Sequence, residues 1–133
     1  MKTFRFDNNL ECYDGDAFIV KIDKELRTEE ELLNFFYDKF QFPTYFGFNW
    51  DALWDVMNDL SWIKQHQVLL VHEMMPCMDD HNMSIYIDLL FDLINNWKEG
   101  EIHSVDVVFP SCYRDYVMQF VKEERIRLIK GEM

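Results

Sequence analysis

The sequence predicts an α/β domain built on a small parallel β-sheet flanked by helices, on three observations. "AFIVKI" (17–22), "QVLLVH" (67–72) and "SVDVVF" (104–109) are short apolar runs rich in β-branched residues, the pattern of strands buried on both faces. The segments between them carry capping signals and apolar residues at helical spacing. Only four glycines and three prolines punctuate the chain, and no linker, repeat or low-complexity tract interrupts it, so 133 residues read as one continuous domain.

Taken in order, "MKTFRF" (1–6) reads as an edge strand and 17–22 as the first buried strand. "TEEELLNFFYDKF" (28–40) is a helix opened by a Thr28/Glu31 capping box, with an acidic first turn that suits the helix dipole. "NWDALWDVMNDL" (49–60) follows with Asn49 as N-cap, then the strand at 67–72. "NMSIYIDLLFDLINNWKEG" (82–100) is a helix that ends at Gly100, a natural residue to follow a helix C-terminus. The strand at 104–109 completes a β-α-α-β-α-β order. After Pro110, "SCYRDYVMQFVKEE" (111–124) reads as an extra helix, and "RIRLIK" (125–130) as an edge strand whose alternating basic residues discourage sheet-to-sheet pairing. The domain spans 1–133, with a core over about 17–109 and a C-terminal extension over 110–133.

Composition excludes several function classes. Apolar residues make up 49% and aromatics 17%, ample for a core, so disorder is not expected. Three widely spaced cysteines without C-x-x-C fit neither a disulfide framework nor a zinc knuckle and favour a reducing, cytoplasmic setting. The N-terminus turns polar and acidic after six residues, unlike a secretory signal, and no run approaches the length of a membrane span. Net charge is −12, and residues 49–92 hold eight acids against Lys64 alone. A field of that sign repels nucleic acid and anionic membrane and attracts basic proteins.

The acidic excess concentrates where it is least comfortable. At about 100° per residue, Leu53, Val56, Met57 and Leu60 share one side of the 49–60 helix, and Asp51, Asp55 and Asp59 share the other. No base lies three or four positions from these aspartates, so their mutual repulsion is unrelieved. A solvated face explains acids but not the company of Trp50 and Trp54 on its border and Tyr45 just upstream; large aromatics rimming a single-sign patch are the make-up of an interface.

"FPTYFGFNWDALWDVMNDL" (42–60) resembles the barstar family of intracellular ribonuclease inhibitors, whose signature is Pro-x-Tyr-aromatic-Gly-x-Asn-x-Asp-Ala-Leu-Trp-Asp, matched over Pro43 to Asp55. The resemblance extends over residues 17–109 through the order of elements. It implies a protein that plugs the active site of a basic ribonuclease or nuclease-type toxin, an immunity protein with no catalytic residue, metal or cofactor of its own. By the same resemblance Asp55 sits in the enzyme's phosphate-binding pocket, Asp51 faces its basic rim, and Tyr45, Gly47, Asn49 and Trp54 are contact positions. Trp50 stands where the family often has leucine, and Asn95 where the prototype has an interface glutamate; Asp88 and Asp92 keep that helix acidic. Asp59, outside the matched run, adds a further acid to the same face. The chemistry is independent of the name: an enzyme that cleaves RNA holds phosphates with cationic groups, and a rigid carboxylate satisfies the same groups by charge-assisted hydrogen bonds.

Competing constellations are weaker. "VHEMMPCMDDH" collects His72, Glu73, Asp79, Asp80 and His81, the donor types of a small metal-dependent hydrolase, but at spacings that match no metal motif. Asp51 with Asp55 as a general acid/base pair lacks a cleft between the two groups. Cys77 or Cys112 with His103 as nucleophile and base lies in no known signature, and both cysteines read as buried structural residues. Met74, Met75 and Met78 form a soft apolar cluster that suits a partner helix, but methionine more often fills gaps in cores, and no role is assigned to it. An adaptor for a basic protein other than a nuclease accommodates the same acidic face.

Overall fold

The computed structural model describes residues 1–8 and 15–129. Its strands are β1 (Arg5–Phe6), β2 (Phe18–Ile22), β3 (Gln67–His72) and β4 (Ser104–Phe109), and its helices are α1 (Glu29–Phe40), α2 (Trp50–Met57), α3 (Asp80–Asn96), α4 (Arg114–Met118) and α5 (Glu123–Ile129). The four strands form one parallel sheet in the order β1-β4-β3-β2, with Val20 opposite Leu70 and Leu70 opposite Val107. The expected α/β class and the positions of the three main strands hold.

The helices cover one face of the sheet. Val20, Ile22, Val68, Leu70, Val105, Val107 and Phe109 meet Leu32, Phe36 and Phe40 of α1, Leu53 and Met57 of α2, and Tyr86, Ile87, Leu90 and Ile94 of α3 in a single buried cluster. A smaller cluster, Leu69, Val71 and Val108 with Ala17 packed against it, occupies the opposite face. β3 and β4 are therefore buried on both faces. β2 is not: it lies at the sheet's edge, where Ile19 and Lys21 are exposed, so Phe18, Val20 and Ile22 carry its apolar character inward on one face.

Several expected boundaries shift for identifiable reasons. α1 opens as predicted, with the Thr28 hydroxyl accepting from the Glu31 N–H at 3.1 Å. α2 ends at Met57 rather than Leu60, because Leu60 takes a left-handed conformation (φ 47°) that no α-helix continues through. α3 begins two residues earlier than expected, capped by the Asp79 carboxylate on the Asn82 N–H (2.8 Å), and stops at Asn96; Gly100, at φ 88°, serves the turn before β4 instead of ending the helix. The expected 111–124 helix breaks into a 3-10 turn over Ser111–Tyr113 and the short α4.

The strand expected at 125–130 is instead helix α5, through Ile129; Lys130 lies outside the described residues. Two physical causes override the alternation. The edge of the sheet beside β4 is already taken by β1, whose Arg5 and Phe6 pair with Val108 and Phe109. The helix also gains an Arg127–Glu123 ion pair one turn apart (3.2 Å) and brings Arg125 to α3. β1 is in turn held by Lys2 and Arg5 on the buried Asp106 carboxylate, at 2.9 and 3.6 Å.

Candidate protein-binding face

The face is built on α2 and the loop before it. Asn49, in extended conformation, starts the helix by accepting the Ala52 N–H on Oδ1 at 2.7 Å. Leu53, Val56 and Met57 anchor the opposite side in the core, so the orientation of Asp51 and Asp55 is set by apolar packing. The loop over 42–48 rests on a ladder of rings: Phe40–Phe42 at 5.7 Å, Phe42–Phe46 at 4.9 Å, Phe46–Phe48 at 4.8 Å, with Tyr37 stacked on Phe46 at 6.1 Å. With that backing the exposed ring of Tyr45, 76% accessible, projects from a fixed base.

Phe48 is held in the left-handed region (φ 51°), a conformation that costs a bulky residue on the order of 1–3 kcal/mol. Ring contacts with Tyr37 at 5.1 Å and Phe46 offset it, and 43% of the side chain still faces solvent beside Asn49. Gly47 needs no such freedom: a methyl group built there meets Asn49 Nδ2 at 3.5 Å and Ala52 Cβ at 3.6 Å, ordinary contacts. Nothing in the chain's own packing requires glycine at this exposed position.

Asp51, Asp55 and Asp59 are exposed, and among the described residues none has a hydrogen-bond or ion-pair partner through its side chain. Asp59 lies just past the helix, in the turn where its N–H bonds the Val56 carbonyl at 3.1 Å. Trp50 is half-buried and pinned to α3 by an indole N–H donated to Asn82 Oδ1 at 3.3 Å. Trp62 and Trp97 likewise donate to the backbone carbonyls of Phe40 and Met57. Trp54 differs: half-exposed, its indole N–H has no partner among the described residues. Trp50, Asp51 and Trp54 wall one side of a groove of about 240 Å³, and Ile85, Asp88, Leu89 and Asp92 of α3 wall the other.

The remaining predicted site residues are engaged internally. Asp92 Oδ1 lies 2.8 Å from Arg125 Nη2, and Asp88 Oδ1 lies 2.6 Å from Arg125 Nη1. Asn95 clips the N-terminal segment to α3, accepting the Lys2 N–H at 2.7 Å and donating to the Lys2 carbonyl at 2.9 Å. Sequence reasoning missed Phe48 and Arg125. Phe48 lay within the quoted aromatic run, but its left-handed backbone is not legible there; Arg125 depends on α5 folding as a helix.

The rival constellations come apart. His72 is wholly buried, its ring stacked on Phe109 at 4.1 Å, with Nδ1 facing the Val108 carbonyl at 2.9 Å and Nε2 the Tyr86 hydroxyl at 2.7 Å. Burial lowers its pKa to about 4 despite the carbonyl contact, so the ring is neutral, donating from Nδ1 and accepting at Nε2, and burial also pushes the Tyr86 hydroxyl well up. Its nitrogens are occupied, Asp79 caps α3, and no three His, Cys, Asp or Glu side chains among the described residues converge to hold a metal ion. Cys77 and Cys112 are exposed rather than buried, Cys77 in the loop after β3 and Cys112 in the 3-10 turn after β4; Cys12 lies outside the described residues. His103, with ring nitrogens 2.8 Å from the Gln65 and Leu60 carbonyls, lies at the opposite end of β4 from Cys112, so the two do not meet. Met78 fills core as expected, whereas Met74 is 42% exposed. Among the described residues no helix is long and apolar enough to cross a membrane.

Comparison with known families places this face in context. The family model described as Barstar (barnase inhibitor) matches residues 17–109, from the residue before β2 to the end of β4, and so contains the whole of the loop, α2 and α3. No curated protein and no solved structure matches the chain. The matched span covers well over half of the 133 residues and carries three of the four strands and the acidic helix: the chain belongs to the barstar family.

Proposed function

We propose that this protein is an inhibitor of a basic, barnase-type ribonuclease toxin, an immunity protein that occupies the enzyme's active site with α2 and the loop before it. The observation that carries the reading is the set of exposed carboxylates on Asp51, Asp55 and Asp59, without a cation among the described residues, on a helix locked to the core. A free protein gains nothing from holding them together; a socket of phosphate-binding cations relieves all three. Asp55 stands for a phosphate in that socket and Asp51 meets its rim. Tyr45, Phe48 and Trp54 supply the apolar frame, and the indole N–H of Trp54, without a partner among the described residues, supplies a donor. Because the loop is braced by stacked rings, little ordering entropy is lost on docking. The net charge of −12 accelerates encounter with a basic enzyme, an effect that salt screens.

The test is inhibition of barnase by the purified protein and by Asp55→Ala and Asp51→Ala. The parent inhibits stoichiometrically, and each folded variant loses at least about 100-fold in affinity, as expected when a desolvated cation is left without its partner. A parent that leaves barnase fully active, or an Asp55→Ala variant that inhibits as the parent does, overturns the proposal.

A further inference from the structure

The family match ends at Phe109, and the segment beyond it returns to the groove beside α2. Asp88 and Asp92, one turn apart on α3, receive a single guanidinium from α5: Arg125 Nη1 on Asp88 at 2.6 Å and Nη2 on Asp92 at 2.8 Å. The same Nη1 points at the Asp88 carbonyl at 3.4 Å, the guanidinium lies over the Phe91 ring at 5.4 Å, and Lys122 adds a second cation 3.6 Å from Asp88. The Arg125 side chain is only 16% exposed. Two close ion pairs and an aromatic floor hold the guanidinium, and an arginine does not give up its proton. Across the same groove Asp51 has no cation among the described residues, and neither do Asp55 and Asp59 beyond it.

We propose that α5 is a specificity element of the binding face: Arg125 occupies the carboxylates of Asp88 and Asp92, so that a basic partner is met first by the α2 carboxylates and the 45–48 loop. The partner this fits is a ribonuclease whose cations cluster in one compact socket. An enzyme that also needs the α3 acids must first displace Arg125 and break both contacts. The inference rests on the inhibitor reading and deepens it, since without α5 the groove would present the carboxylates of Asp51, Asp88 and Asp92 as one field, beside Asp55 and Asp59 on α2 and the turn after it.

The experiment is association with barnase at low salt, followed by stopped flow, for the parent, Arg125→Gln, Arg125→Lys, Arg127→Gln and the double variant Arg125→Gln/Asp88→Asn. Arg125→Gln frees Asp92 and leaves Asp88 with Lys122 alone, and association accelerates about 10-fold, at the lower end of the range by which charged surfaces steer encounter. Arg125→Lys, which keeps the charge but cannot span two carboxylates with a planar fork, gives a smaller gain. Arg127→Gln makes the same charge change on the same helix at an exposed residue paired with Glu123, and changes the rate less than about twofold. The double variant falls back toward the parent. If Arg125→Gln is no faster than Arg127→Gln, or the double variant keeps the full gain, α5 is not a specificity element. If none of the proteins binds barnase, the inhibitor reading fails and takes this inference with it; binding by the parent without acceleration in Arg125→Gln defeats this inference alone.

Discussion

Neutralising Asp55 or Asp59 should strengthen the free protein and neutralising Asp51 should leave it nearly unchanged, while loss of Asp55 weakens the complex. Asp55 has Asp51 four residues before it and Asp59 four after; each like-charge pair on a helix costs about 0.2–0.5 kcal/mol. The first pair lies wholly within α2. The second straddles its end, where Asn58 caps the helix and Asp59 sits in the following turn, so it counts at the lower limit. Asp55→Asn should therefore stabilise by about 0.4–0.7 kcal/mol. Asp51→Asn relieves one pair but forfeits a favourable position in the first turn, where an acid gains about 0.3–1 kcal/mol from the helix dipole, and should be close to neutral. Asp59→Asn relieves one pair and removes a negative charge from the carbonyl end, for about 0.5–1 kcal/mol. The assay is equilibrium urea unfolding of each variant at about 10 mM and about 1 M salt, where screening lengths are about 30 and 3 Å. The gains should be present at low salt and vanish at high salt, while Asp55→Asn loses most of its inhibition of barnase. An Asp55→Asn protein less stable than the parent at low salt, or a gain that salt leaves untouched, would refute the unrelieved-repulsion argument.

Other consequences are as specific. The His72 ring is neutral in the fold with a pKa near 4, below its ordinary value of about 6.5, so between those values the unfolded chain binds the extra proton and stability falls as pH drops; the loss approaches about 3 kcal/mol, and His72→Gln should flatten that part of a urea-stability profile. Met57→Ala, which empties a fully buried site under α2, should cost about 2–5 kcal/mol in thermal or urea unfolding. Gly47→Ala should fold with less than about 1 kcal/mol change, since the added methyl meets only ordinary contacts, yet weaken barnase inhibition measurably; unchanged inhibition would remove Gly47 from the face. Asn95→Ala should destabilise by about 1–3 kcal/mol and speed amide exchange in the N-terminal segment, because it leaves Lys2 backbone groups unpaired.

Much of the fold was legible because its signals are local and redundant. β3 and β4 announce themselves as apolar runs, since both faces of an interior parallel strand are buried. Thr28 and Asn49 announce helix starts because a cap is a contact between residues three apart. β2 looked equally buried, but its edge position depends on which strand pairs with which, and that is not written within the strand. The C-terminal segment misled for the same reason: the six residues 125–130, basic and apolar by turns, suit either a strand or a helix, and the choice fell to a sheet edge already filled by residues more than a hundred positions away.

The binding face divides along the same line. By itself the sequence determined that α2 carries an unrelieved acidic stripe opposite an apolar one, with aromatics at its border, because helical spacing converts residue order directly into faces. Only the tertiary structure decided which acids remain available. It paired Asp88 and Asp92 with Arg125, turned Asn95 to the N-terminal segment, buried His72 beneath Phe109, and left Asp51, Asp55, Asp59 and the Trp54 indole without partners among the described residues. Each of those outcomes rests on contacts between residues distant in the chain, and the energy of such a contact depends on where the fold brings its two ends together.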